Sequence, residues 1–207
     1  DFARAVSSLR VSLSPADLKD VFAVYQRLLV HHRDSINGLN VYPVPDGDTG
    51  TNMTQTVDSV MSHLDGADSM DEVATALSTG SLMGAAGNSG VILSQILRGI
   101  AESLRSLSQV NAKDLAAALG AAATAAYKAV ARPVEGTILT VLREAAEAAA
   151  EQGTKVGDDL AGMIEAVYTR ACDSLERTPE HLPILKQAGV VDAGGAGLLL
   201  LLAAFQE

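Results

Sequence analysis

A chain of 207 residues is long enough for one large domain or two small ones. Hydrophobic residues make up 48% and aromatics only 3%, with no tryptophan, so any core must be Leu, Ala, Val, Ile and Met, a mix that favours helices. The net charge of −10 and the pI of about 4.8 exclude a broad phosphate-neutralising surface and count against nucleic acid as the main partner, though not against a nucleotide, whose charge a metal can offset.

Ser14-Pro15 opens the first helix, serine as N-cap and proline at the first helical position. Leu18, Val21, Phe22, Tyr25, Leu28 and Leu29 continue it at helical spacing. From Asn37 to Gly50 the pattern breaks into a long irregular loop carrying Gly38, Pro43, Pro45, Gly47 and Gly50. A second helix puts Met53, Val57, Val60, Met61 and Leu64 on one face, and Ser69-x-x-Glu72 is a capping box for a third, through about Met83. After the break at Gly84 to Gly90, Ile92, Ile96, Ile100 and Leu104 mark a fourth helix. Asn111 caps a fifth through Leu115, Leu119, Ala122, Ala126 and Val130, whose alanine-rich stretch from Ala116 reads as close helix packing.

A third break, Arg132 to Gly136, precedes a helix from about Thr137 to Glu151. Gly153 to Gly157 reads as a turn, Leu160 to Leu175 as the next helix, and Thr178-Pro179 as the cap of a short one. A fourth break, Gly189 to Gly197, leads into a last apolar helix. No strand alternation is evident. The expected fold is all-α, an up-and-down bundle of eight or nine helices whose short loops make neighbours antiparallel. The chain reads as a single domain over residues 1–207. It begins at Asp1 and stops inside an apparent helix, which suggests the N-terminal part of a longer protein. No signal peptide is evident, and the longest apolar run, Leu198 to Phe205, is too short to span a membrane. The single cysteine, Cys172, excludes an intrachain disulfide and fits a cytoplasmic setting. On the apolar face beside Val167 and Leu175 it reads as core, as do the methionines. His31, His32, His63 and His181 share no metal-ligand spacing and read as surface residues, and Arg98 as solvated.

Four glycine-rich segments each end where a helix begins. They are Asp46-Gly47-Asp48-Thr49-Gly50-Thr51-Asn52, Gly84-Ala85-Ala86-Gly87-Asn88-Ser89-Gly90, Pro133-Val134-Glu135-Gly136-Thr137 and Asp192-Ala193-Gly194-Gly195-Ala196-Gly197. A helix start presents unpaired N–H groups and partial positive charge, and so accepts phosphate. In an up-and-down bundle alternate helices start at one end, so these loops can share a mouth. Each loop alone reads more readily as an ordinary cap or turn, and it is four together, one with paired carboxylates, that favour a ligand site. Asp46 and Asp48, two apart around a glycine, repel unless a cation sits between them, and magnesium commonly links one or two carboxylates to phosphates. A solvated acidic turn is the plain alternative, but the stiff Pro43-Val44-Pro45 approach counts against it. An EF-hand counted from Asp46 fails at Thr51 and Val57, and neither a P-loop nor a histidine-arginine-aspartate catalytic loop is present.

Leu39-Asn40-Val41-Tyr42-Pro43-Val44-Pro45-Asp46-Gly47-Asp48-Thr49-Gly50-Thr51-Asn52-Met53 resembles the signature of the DhaL-type kinase domain, most closely the version at the N-terminus of bacterial fatty acid kinase. Gly87-Asn88-Ser89-Gly90-Val91-Ile92, Pro133 to Thr137 and Gly189 to Gly195 match further segments in order, so the resemblance covers nearly the whole chain. It implies an antiparallel eight-helix barrel with ATP and two magnesium ions at one end. It implies metal ligation by Asp46 and Asp48, with Asn40 the candidate third ligand, and catalytic roles for Asp46, Asp48 and Thr49. Thr49, Gly50, Thr51 and Asn52 would lie by the phosphates, and Gly87, Asn88, Ser89 and Gly90 would cradle them. Gly136, Thr137, Asp192 and Gly194 would border the nucleoside. The dihydroxyacetone kinase branch has histidine where this chain has Thr49, which points away from that substrate. The fatty acid kinase branch often has arginine where this chain has Ala86, so a cation is missing there.

The resemblance implies phosphoryl transfer from ATP to a fatty acid carboxylate, presented by a DegV-like fatty-acid-binding protein, to give an acyl phosphate in phospholipid synthesis. A carboxylate is already ionised at neutral pH, so no general base is needed, in keeping with the lack of a catalytic histidine pair. Any homodimer would form through regions outside this chain. The alternatives are a dihydroxyacetone kinase-type subunit, a nucleotide-binding module inactive without the rest of its chain, and a structural bundle.

Overall fold

A computed structural model of the protein describes residues 11–155 and 159–207. Among these residues it has nine helices: α1 (Pro15–Leu39), α2 (Thr49–Leu64), α3 (Met70–Met83), α4 (Gly87–Leu104), α5 (Ala112–Ala129), α6 (Ile138–Lys155), α7 (Leu160–His181), α8 (Pro183–Ala188) and α9 (Ala193–Ala204). Each of α1 to α7 packs on the next in sequence, and α9 closes the ring by packing on α1, α6 and α7. The result is the expected all-α barrel, its wall formed by the eight longer helices. No helix among the described residues is long and apolar enough to cross a membrane.

Local chemistry sets the helix ends. Ser14 with Asp17, Ser69 with Glu72 and Asn111 with Asp114 form reciprocal capping boxes at the starts of α1, α3 and α5. These three helices start at the same end of the barrel, the end opposite the glycine-rich loops. The interior is filled by fully buried Leu18, Phe22, Tyr25, Leu29, Met53, Leu77, Leu93, Ile96, Leu97 and Leu142, each contributing about 1.5–3 kcal/mol on leaving water. The alanine-rich α5 allows close approach: a Cβ added at Gly99 of α4 would lie 2.6 Å from Ala122 Cα.

The structure corrects several sequence expectations. A two-residue antiparallel pairing does form, Ser12 opposite Asn111 and Leu13 opposite Val110. Helices also reach further into the glycine segments than composition suggests. Thr49 and Gly50 belong to α2, Gly87 to Gly90 to α4, and Ala193 to Gly197 to α9, which leaves irregular stretches at 40–48, 84–86 and 189–192. Gly153 is helical rather than part of a turn, and Gly157 lies outside the described residues. Thr178-Pro179 does not cap a helix. Both lie inside α7, and the short helix begins at Pro183 instead. Pro179 has no N–H for the carbonyl of Leu175, and the Thr178 hydroxyl donates to that carbonyl at 2.7 Å, so α7 runs on. Met83 is 74% exposed and Cys172 is half-buried, so neither is core.

Candidate functional site

The four glycine-rich segments lie at one end of the barrel, joined by direct contacts. Asn52, in the first turns of α2, packs on the start of α4, where a Cβ at Gly87 would collide with its side-chain amide. Gly87 has φ +58, a conformation that glycine takes without cost. Thr56 Oγ1 donates to the carbonyls of Asn52 and Gly84, fixing the α3–α4 loop on α2. Met53 lies against Gly197 of α9. Gly194 lies against Ile138, the first residue of α6, and Gly136 against Thr178 and His181 at the end of α7.

The loop at 40–48 rests on the last turn of α1. Asn40 is buried and donates Nδ2 to Asp46 Oδ1 at 2.7 Å, while Asp46 itself is exposed. Asp48 occupies the N-cap position of α2 and makes no side-chain cap bond. Ala86, at the N-cap of α4, cannot make one. Two helix starts on this end therefore have no cap from their own N-cap residue, unlike α1, α3 and α5 at the other. Thr49 and Gly50 are buried and Thr51 is exposed. Along the start of α4, Gly87 and Asn88 are exposed, Ser89 is half-buried and Gly90 is buried.

The residues expected to border a nucleoside are tied into the scaffold. Thr137 is buried, donates to the carbonyl of Val134 and accepts from the N–H of Leu139, so it caps α6. The Gly136 N–H donates to Thr140 Oγ1 at 2.8 Å. Asp192 is only 5% exposed. Its carboxylate accepts from the N–H of Gly195 at 2.7 Å and from that of Ile138, so it caps α9 and α6 together. Its own N–H donates to Thr178 Oγ1 at 3.1 Å. Burial pushes the Asp192 carboxyl up to about 6, even though both N–H donors pull it down.

Two contributors carry no sequence signal. Asn37 reaches from α1 onto the start of α2, and the spacing of these residues does not announce that contact. Glu135 lies in the third glycine-rich segment, where its type and position announce no partner. It accepts from Tyr127 Oη at 2.9 Å, Thr140 Oγ1 at 2.7 Å and Arg143 at 3.1 Å. Burial opposes its ionisation, but these donors outweigh burial and hold its carboxyl below the usual range. It thereby clamps the third loop to α5 and α6.

Among the described residues no group of three or more His, Cys, Asp or Glu side chains is placed to hold a metal ion unaided. Two carboxylates with an adjacent amide suit magnesium, provided that phosphate oxygens or waters complete its six ligands.

The DAK2 domain family is matched over residues 43–207. An uncharacterized protein of Staphylococcus saprophyticus is 48% identical over 179 residues, and one of Staphylococcus aureus (strain USA300) is 47% identical over the same length. Each alignment covers 86% of this chain, and the chain spans about a third (32%) of the length of these curated relatives. Two solved structures of the dihydroxyacetone kinase of C. freundii share the fold across 96% of this chain. The complex with AMP-PNP and Mg2+ has a TM-score of 0.65, with 35% of that chain covered. The native form has a TM-score of 0.60, with 36% covered. Both are 19% identical to this chain.

Proposed function

The chain belongs to the DAK2 domain family, and on that premise we propose that it is the ATP-binding domain of a kinase, with magnesium held at the loop of Asp46 and Asp48. The observation that carries this reading is the convergence of four glycine-rich helix starts on one end of the barrel, two of them without a cap from their own N-cap residue, beside paired carboxylates. The structural neighbour determined with AMP-PNP and Mg2+ supports the choice of ligand. Asp46 and Asp48 would hold the metal, Asn40 would support Asp46 or serve as third ligand, and Thr49 would stand at the reacting phosphate. Gly50, Thr51, Asn52 and Gly87 to Gly90 would lie by the phosphates, with the N–H groups of Thr51, Asn52 and Gly90 already held by Asn37 Oδ1 and by the carbonyls of Asp48 and Ala86. Gly136, Thr137, Asp192 and Gly194 would shape the far wall as scaffold, since their polar atoms are engaged. Magnesium, when bound, supplies positive charge against the phosphate oxygens.

The proposed acceptor is a fatty acid carboxylate brought by a DegV-like carrier. A carboxylate oxygen forms the new bond to the γ-phosphorus, the bond to the β,γ-bridging oxygen breaks, and ADP leaves. No proton has to be removed. The protein's contribution is then position and electrostatics. Threonine at position 49, where the dihydroxyacetone branch has histidine, supports a carboxylate acceptor.

Calorimetry tests the nucleotide reading. The protein is expected to bind a non-hydrolysable ATP analogue only with magnesium, and Asp46→Ala with Asp48→Ala is expected to weaken that binding about a hundredfold or more. Undiminished binding by the double variant would refute the metal assignment. Acyl phosphate formation that appears only with a loaded carrier would support the acceptor, and phosphorylation of dihydroxyacetone instead would overturn it.

A further inference from the structure

An aspartate at the N-cap usually turns its carboxylate onto the N–H two or three residues ahead. Asp48 stands at that position in α2 with its backbone at φ −119, ψ 0, where Ser14, Ser69 and Asn111 are extended, and does not. The N–H of Thr51, which it would reach, is already taken by Asn37 Oδ1 at 3.1 Å, and Asn37 Nδ2 donates to Thr51 Oγ1 at 3.0 Å. The cap of α2 is thus supplied by another helix. At the other end of the barrel, Ser14, Ser69 and Asn111 cap their own helices, unlike Asp48.

Asn37 and Asn40 lie three residues apart at the end of α1, on one face. The Asn37 carbonyl accepts from the N–H of Asn40 at 3.2 Å, and Asn40 in turn holds Asp46. One carboxylate of the pair is therefore pinned by Asn40, and the other is kept off the helix end by Asn37.

We propose that Asn37 is the positioning residue of the acidic loop: by capping α2 from outside, it leaves the Asp48 carboxylate available to a divalent cation. This rests on the magnesium-nucleotide reading above. Without Asn37 the Thr51 N–H loses its acceptor, and a turn of the Asp48 backbone from ψ 0 to the extended region would let Asp48 cap its own helix instead.

The test compares the parent chain with Asn37→Ala and Asn37→Asp. Magnesium is titrated at saturating non-hydrolysable ATP analogue, and amide exchange at Thr51 is followed in the ligand-free protein. Asn37→Ala is expected to weaken apparent magnesium affinity about tenfold, the lower end for loss of a group that orients a metal ligand. Thr51 stays protected in this variant because Asp48 replaces the lost acceptor. Asn37→Asp keeps an acceptor oxygen and should return affinity to within about threefold of the parent or better. Parent-like affinity in Asn37→Ala would overturn the proposal and leave the nucleotide reading intact. Equal loss in both variants, with both melting lower, would make Asn37 merely structural and would also overturn it. Absence of magnesium-dependent binding in the parent would defeat both readings together.

Discussion

Replacing Asp192 by asparagine isolates the effect of burying one carboxyl under two helix starts. The folded chain holds the Asp192 proton up to about pH 6, against an ordinary value of 3.8. Because the folded value is raised, the contribution to stability is full below about pH 4. It is lost as pH rises, because the unfolded chain ionises first, and it is gone above about pH 6. Roughly two pH units, at about 1.36 kcal/mol each, make the loss about 3 kcal/mol. Asparagine cannot titrate, yet it keeps an oxygen for the Gly195 N–H. The assay is urea unfolding of both proteins from pH 4 to pH 8, taking the difference in unfolding free energy at each pH. All other titrating groups are shared and cancel. The parent should lose about 3 kcal/mol relative to Asp192→Asn across that window, a relative shift of about 6–12 °C in Tm for a chain of this size. A difference that stays flat, or one that runs the other way, would refute the assignment of a buried, proton-retaining carboxyl.

Tyr25 is fully buried, and its hydroxyl has no hydrogen-bond partner among the described residues. Tyr25→Phe is therefore expected to stabilise the fold by about 1 kcal/mol, measured by thermal melting. Gly87→Ala must hold φ near +58 and displace the Asn52 amide, so it should cost about 1–2 kcal/mol in urea unfolding. Gly120, mid-way along α5, has nothing within 4 Å of an added Cβ. Gly120→Ala should stabilise by about 0.5–1 kcal/mol, the opposite sign from the same chemical change.

What the sequence made legible was local. Ser14, Ser69 and Asn111 announce helix starts because a cap bonds to its own backbone three residues on. The glycine breaks announce loops, and the alternation of helices is enough to put those loops at one end. What stayed hidden depends on residues far apart in the chain. Thr178 looked like a cap because threonine before proline commonly ends or begins an element. Its hydroxyl instead serves the carbonyl of Leu175 and the N–H of Asp192, and the second of these lies on another element. Asp192, expected to border the nucleoside, is also a shared cap for two helices, which its glycine-rich surroundings do not announce. The cap of α2 by Asn37 has no fixed spacing, so only the packing of α1 on α2 reveals it. The pairing of Ser12 and Leu13 with Asn111 and Val110 is too short to show alternation.

The ring closes between α1 and α9, and this decides where the described chain can be extended. α1 begins at the end of the barrel away from the glycine loops. α9 runs away from those loops until Phe205 meets Leu115, Leu119 and Ile164 near the starts of α5 and α7. Both ends of the fold therefore leave by the same side, the back of the barrel. The relatives carry about twice as much sequence again as the part matched here. Both ends of the described fold thus lie behind the barrel, and the glycine-loop end is left clear of them.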